Sequence, residues 1–291
     1  MNEKPVVAGI GELLWDVLPS GKQLGGAPCN FVFHAIQSGC DGYAISAIGK
    51  DGPGIELKQN LDKLGLSNQY VQENEFPTST VTVALDKNGN PDYTIHENIA
   101  WDHISWNEDL EKLAKELDAV CYGSLAQRSR ESEQSVRSFL LATSPECLKV
   151  FDINLRQNYF SKELILNSLK LTDILKLNED ELPVVSGYLG LNGSPESQLD
   201  QILRHFNLKY VVYTLGSKGS IIISDKERSY AEVPKVQIAD TVGAGDSFTA
   251  IFIAGILKGV TLKKIHNRAT EIAAYVCTQK GATPRLTMKI F

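Results

Sequence analysis

Asp240-Thr241-Val242-Gly243-Ala244-Gly245-Asp246-Ser247-Phe248 follows an extended run, Lys235 to Ile238. It precedes a helical pattern with apolar Phe248, Ile251, Phe252, Ile256 and Leu257 on one face. Gly-Ala-Gly therefore falls where a helix begins. The first turn of a helix has free backbone N–H groups and the positive end of the macrodipole, and small residues let an anion approach them closely. Asp246 lies within that turn. A carboxylate would repel an anion, so the role suited to it is general base, taking a proton from a hydroxyl that attacks a phosphoryl group. The competing reading is a glycine-softened turn in which Asp246 only complements the helix dipole.

Working outward, the 291 residues suit one domain with a small appendage. No Pro/Gly/Ser-rich linker, charge block or internal repeat divides residues 1–291. Hydrophobic content of 43% and charged content of 22% are those of a globular protein. The 29 basic and 35 acidic residues give a net charge of −6, with no basic run, which argues against nucleic acid and anionic membrane as partners. Five scattered cysteines, with no Cys-x-x-Cys pair, fit reduced thiols in a cytoplasm and not a zinc site. The N-terminus lacks a signal-peptide pattern and no apolar run approaches ~20 residues, so a cytoplasmic location is expected.

Val6 to Ile10 reads as a buried strand. Gly9-Ile10-Gly11 lacks the third glycine of a dinucleotide fingerprint, which excludes a dehydrogenase reading. Asp16 follows that strand. Gly25-Gly26-Ala27-Pro28-Cys29-Asn30 gives a close-approach turn opening a helix to about Ser38, with Asn30 in the first turn. From Val71 to about Asp102 the pattern turns β-rich, with Lys87-Asn88-Gly89-Asn90 as a hairpin signal. With residues 12–24 this is expected to form a small antiparallel β sheet as a lid, about 12–24 and 74–102, suited to excluding water. From Trp106 helices and strands alternate, with strands at 119–122, 148–153, 173–177 and 210–215. Alternation implies a three-layer α/β fold, a mostly parallel central sheet flanked by helices. Asp16, Asn30, Asn154, Asn178, Glu181, Thr214 to Gly219, and Gly243 to Asp246 follow strands or open helices. In a parallel sheet such positions gather along one edge.

These motifs resemble a known family. Gly25 to Asn30 resembles the N-terminal signature of the ribokinase-like (PfkB) sugar kinases, and Asp240 to Asp246 their C-terminal signature. Gly49-Lys50-Asp51-Gly52-Pro53-Gly54, Asn178 to Glu181, Thr214-Leu215-Gly216 with Gly219, and Gly281-Ala282 fall in the expected order. The resemblance implies a ribokinase-like fold and an ATP-dependent kinase acting on a sugar hydroxyl. Asp246 is then the base, and the amides of Gly243, Ala244 and Gly245 form the anion hole. Asp16, Gly25, Gly26 and Asn30 bind sugar, with Arg156 facing substrate or phosphate, or else a surface ion-pair residue. Asn178, Thr214, Gly216, Gly219 and Gly281 border ATP. Glu181, through water, organises Mg²⁺, and Asp240 matches a position that in some relatives helps bind a monovalent cation such as K⁺.

Asp152-x-Asn154-x-Arg156, Gly281-Ala282 and Ala100-Trp101-Asp102 are similar to bacterial fructokinases, which makes fructose the expected sugar. Ribokinase, keto-deoxy-gluconate kinase and nucleoside kinase share the general signatures. A sugar- or nucleotide-binding regulator without catalysis is the other class, against which a retained Asp246 argues. Trp15 and Trp101 read either as covers for a sugar face or as packing aromatics. Lid strands also present edges, which leaves a homodimer through the lid open.

Overall fold

Strand β1 (Val6–Ile10) alternates between two buried layers: Val7 joins one apolar cluster, Ala8 and Ile10 the other. A strand buried on both faces belongs inside a sheet covered on both sides. The computed structural model describes residues 3–18, 21–85, 91–287 and 290–291 and has that architecture.

After β1 come β2 (Leu14–Leu18), β3 (Gly21–Gly25), α1 (Ala27–Gln37), β4 (Asp41–Gly49), α2 (Gly52–Leu64) and β5 (Val71–Asn74). Next are β6 (Ser79–Leu85), β7 (Pro91–Ile95), α3 (Glu108–Glu116), β8 (Ala119–Tyr122), α4 (Arg130–Ala142) and β9 (Leu148–Asp152). The chain continues through α5 (Lys162–Leu169), β10 (Ile174–Asn178), α6 (Glu181–Leu189), α7 (Pro195–His205) and β11 (Tyr210–Thr214). It ends with β12 (Ser220–Ile223), β13 (Arg228–Ala231), α8 (Ala244–Leu257) and α9 (Leu262–Cys277).

The main sheet runs β13-β12-β11-β10-β9-β8-β1-β4-β5. From β11 to β5 every pairing is parallel, while β12 and β13 are antiparallel. One apolar layer buries α1, α2, α8 and α9 against the sheet, and the other buries α3 to α7. Side-chain caps on orphan amides start several of these helices: Asp51 for α2, Asn107 for α3, Ser129 for α4, Ser161 for α5 and Ser194 for α7. Because β1, β8, β9, β10 and β11 are parallel, their C-terminal ends share one edge.

A second sheet, β3-β2-β6-β7, stands beside that edge. It pairs β2 antiparallel with β3 and parallel with β6, and β6 antiparallel with β7. The small sheet expected from the sequence is present, but it is not wholly antiparallel, since β2 and β6 run parallel. The Lys87–Asn90 turn signal lies outside the described residues. Arg128 anchors the exit from β7: its guanidinium pairs with Asp102 at 2.8 Å, donates to the carbonyl of His96, and lies 4.1 Å and 4.5 Å from the ring centres of Trp101 and Tyr159.

Four sequence readings change. Val71 to Asn74 is not lid but the edge strand of the main sheet, paired with β4. Lys235 to Ile238 forms no strand; Pro234 lacks a donor there, and Val236 and Ile238 stay exposed. Helix α6 went unread because Pro183 and Gly187 punctuate it, although Pro183 falls in the first turn, where proline is tolerated. Trp15 and Trp101 are 3% and 0% exposed, and the Trp15 indole donates to the carbonyl of Pro53 at 3.0 Å, so both are packing aromatics.

Candidate active site

Helix α8 begins at the shared strand edge. Gly243 is its N-cap at φ 77°, in the left-handed region, and a Cβ there would come within 2.6 Å of Ala282. The first helical hydrogen bond runs from the Ser247 amide to the Gly243 carbonyl at 2.8 Å. Among the described residues the amides of Gly245 and Asp246 have no main-chain acceptor, while that of Ala244 makes a long 3.4 Å contact with Thr241. The amide of Gly243 has no such acceptor among the described residues either, so amides without a main-chain partner occur within Gly243-Ala244-Gly245 and extend to Asp246.

Asp246 is brought to Asn30 of α1, whose Nδ2 donates to its Oδ2 at 2.8 Å. Gly26, at φ 114°, lets α1 start there, because a Cβ would strike the Glu12 carbonyl. Burial pushes the Asp246 carboxyl up to about 6, and nearby Asp152 adds to the effect; the Asn30 bond, Lys176 and Arg156 oppose it. Asp16, on β2, sets its carboxylate over Gly25, with Oδ2 2.3 Å from where a Cβ would be. Burial and the charge of Asp240 raise it to about 6.

Glu12 was missed by sequence reasoning. It is 3% exposed, its Oε1 accepts the Ala27 amide at 3.2 Å, and its Oε2 is buried without a partner among the described residues. Burial raises it to about 7. Arg156 is exposed and donates to the carbonyl of Leu155, and its positive charge acts on Glu12, Asp16 and Asp246 alike. Carboxylates thus gather between the lid and the sheet edge, with Arg156 as the cation common to them.

Lys176 and Asp152 were also missed as a pair. They are register partners across β10 and β9, both nearly buried, and the ammonium bonds both carboxylate oxygens at 2.8 Å. Thr249 of α8 adds a hydroxyl to Asp152 at 3.0 Å. The Lys176 Nζ lies 3.1 Å from where a Cβ on Gly245 would be, directly beneath the first turn of α8. A signal existed: Ile-Leu-Lys-Leu-Asn puts one lysine inside an otherwise apolar strand, and a buried lysine needs a carboxylate.

On the other side of that turn lies a cavity of about 600 Å³. Ala244, Gly245, Asn178, Thr214, Gly216 and Gly219 border it. Glu181 sits behind, 5% exposed, accepting the amides of Leu155 at 3.0 Å and Asn178 at 2.9 Å; burial raises its pKa. Gly281 does not line this cavity. Its amide donates to Asp240 Oδ2 at 3.1 Å, and the Val242 amide donates to Asp240 Oδ1 at 3.1 Å. Among the described residues no group of three or more His, Cys, Asp or Glu could hold a metal ion by itself.

Comparison with known proteins decides the family. The sequence model of the pfkB family carbohydrate kinases matches residues 19–288. The chain belongs to that family. An ATP-dependent 6-phosphofructokinase of Thermoanaerobacterium thermosaccharolyticum is 27% identical over 303 residues, covering 97% of this chain and 90% of that protein. Probable fructokinase-3 of Arabidopsis thaliana is 26% identical, covering 99% and 90%. The crystal structure of an uncharacterized sugar kinase from Pyrococcus horikoshii in complex with ATP superposes with a TM-score of 0.81 at 26% identity, covering 95% of this chain and 94% of that one. Among the described residues of this PfkB kinase no helix is long and apolar enough to cross a membrane.

Proposed function

We propose that this PfkB kinase transfers the γ-phosphoryl group of ATP to a hydroxyl of a neutral sugar, with fructose as the physiological acceptor. The observation that carries the reading is the place of Asp246: on the first turn of α8, next to the 600 Å³ cavity and hydrogen-bonded to Asn30 of α1.

The nucleotide occupies the cavity, its phosphates toward Ala244 and Gly245. The sugar lies under the lid, where Asp16 and Asn30 accept and donate hydrogen bonds to its hydroxyls. Asp246 Oδ2, held by Asn30, takes the proton of the attacking hydroxyl. The bond from the γ-phosphorus to the β–γ bridging oxygen breaks as the bond to the sugar oxygen forms, and ADP leaves. The unpaired amides of Gly245 and Asp246 face the charge that spreads over the transferred group, and Lys176 beneath them adds a fixed positive charge. Aligned donors of this kind are worth about 3 kcal/mol of transition-state stabilisation.

The donor set fits Mg²⁺ held through phosphates and water: there is no direct ligand cluster, and Glu181 spends one lone pair of each oxygen on an amide and keeps the others for water. Bound there, Mg²⁺ neutralises phosphate charge. Asp240, with two amides on its carboxylate, is the corresponding candidate for a monovalent cation.

Charge favours a neutral acceptor over a sugar phosphate. Asp16, Asp240 and Asp246 add negative potential around the proposed sugar site against Arg156. The fructokinase and 6-phosphofructokinase relatives stand on either side of this choice. The test is sugar-dependent ADP formation from MgATP with fructose, fructose 6-phosphate, ribose, glucose, keto-deoxy-gluconate and adenosine. Fructose should give the highest kcat/KM. A preference for fructose 6-phosphate would overturn the charge argument, and a preference for another neutral acceptor would overturn fructose alone.

A further inference from the structure

We propose that this kinase accepts phosphoryl groups from nucleoside triphosphates irrespective of the base, so that GTP, CTP and UTP serve beside ATP. The proposal rests on the reading of the 600 Å³ cavity as the nucleotide site.

Strong discrimination among bases needs buried hydrogen-bonding groups that the wrong base leaves unpaired; an apolar slot supplies far less. Among the described residues, most of the cavity's polar side chains are either committed to the protein or placed at the phosphate end, away from a base edge. Asn178 and Thr214 are register partners at the ends of β10 and β11, with Gly216 and Ser217 following, and Thr241 precedes α8; these belong to the phosphate end. Asp180, two residues after Asn178, lies at that same end, and much of the rest of the wall is apolar: Val233, Val236 and Ile238 from the loop after β13, and Ala273 and Ala274 of α9. Val236 and Ile238 are 39% and 61% exposed, an apolar surface open to a stacked ring of any kind.

Two hydroxyls line this region, Ser220 and Thr270, and both bond one buried histidine. His266 is 0% exposed. Its Nε2 pairs with Ser220 Oγ at 2.8 Å and its Nδ1 with Ser229 Oγ at 2.8 Å, while Thr270 Oγ1 donates to its carbonyl at 2.9 Å. Burial pulls this imidazole down to about 4, so it is neutral and each ring nitrogen keeps one serine. The geometry commits the Thr270 proton and one hydrogen bond of Ser220 to the protein. Glu179 is likewise taken, by Lys218 at 2.7 Å. Lys235 is an exposed cation with no base-specific geometry. What remains is the Cys277 thiol, a weak donor and acceptor, and the main chain of 233–238, where donors and acceptors alternate and can meet an amino or a keto edge.

The chemistry is the same for every donor. The bond from the γ-phosphorus to the bridging oxygen breaks, the bond to the sugar oxygen forms, the proton goes to Asp246, and the nucleoside diphosphate leaves. The experiment measures sugar phosphate formation, and hence kcat/KM, for MgATP, MgGTP, MgCTP and MgUTP with the best acceptor of the sugar panel. All four should lie within about tenfold of one another, the scale an apolar slot can separate. A larger preference for ATP overturns the proposal while leaving the kinase reading intact. Transfer from none of the four to any sugar overturns the kinase reading and this proposal with it. Ser220→Ala supplies a readout that partial misfolding does not move: the ATP-to-GTP ratio should stay unchanged, and a shifted ratio would mean that Ser220 reads the base edge.

Discussion

Asp246, the proposed base, has its proton affinity set by its surroundings. A carboxylate near its ordinary value would be a weak proton acceptor at neutral pH; burial and Asp152 lift this one to about 6. With a single base of that strength, kcat/KM should be flat above pH 7 and fall about tenfold per unit well below pH 6. A profile flat down to pH 5 would show that the base titrates lower. Glu12 makes a stability prediction of opposite sign to the usual carboxylate. Its folded pKa of about 7 lies above its unfolded value, so its contribution is fully present below the unfolded pKa and is lost as pH rises through about 7. Glu12→Gln keeps an oxygen for the Ala27 amide and removes the buried charge. Thermal unfolding at pH 8 should find the variant at least as stable as the parent, with a gain of up to about 3 kcal/mol. A variant clearly less stable at pH 8 than at pH 5, relative to the parent, would contradict this.

At the scale of elements, the first turn of α8 is fixed by its neighbours more than by itself. Gly243 caps it in a left-handed conformation against Ala282, and His34 of α1 holds Ala282 there, its Nε2–H donating to the carbonyl at 2.9 Å. Burial lowers His34 to about 4, so that bond is made by a neutral ring across the working pH range. Gly243→Ala would strain φ and collide with Ala282, and it should cut kcat by more than about a hundredfold, the loss seen when one anion-hole donor is removed. Steady-state kinetics on folded variant decide it; near-parental kcat would mean the turn tolerates displacement. The alternating strands and the glycine turns at Gly25-Gly26 and Gly243 to Gly245 were legible because period and backbone freedom are local properties. Helix α6 and the edge strand β5 were not, since a proline in a first turn and a four-residue strand look like loop until a neighbouring strand claims them.

Across the whole molecule, the site joins residues far apart in sequence: Asn30 reaches Asp246, 216 positions on, and Asp16 comes in on the lid. The order of motifs allowed the edge of the sheet to be anticipated, and with it most of the polar residues there. Glu12 and the Lys176–Asp152 pair were hidden because their meaning lies in burial and in register across strands, neither of which a single strand displays. The lid is tied to the body at one end by Arg128 and Asp102 and carries Asp16 at the other. Sugar should therefore slow amide hydrogen exchange in 14–18 and 79–85, and identical exchange with and without fructose would argue against a closing lid.

The central claim is that Asp246 accepts the proton of a sugar hydroxyl during phosphoryl transfer. It is tested most directly by kcat for Asp246→Asn with MgATP and fructose, alongside fructose binding by titration. The expected result is a loss of about 10³-fold or more in kcat, within the range for a positioned general base, with fructose affinity changed only a few-fold. A variant that turns over at near the parental rate would contradict it and return Asp246 to the role of an ordinary first-turn acid.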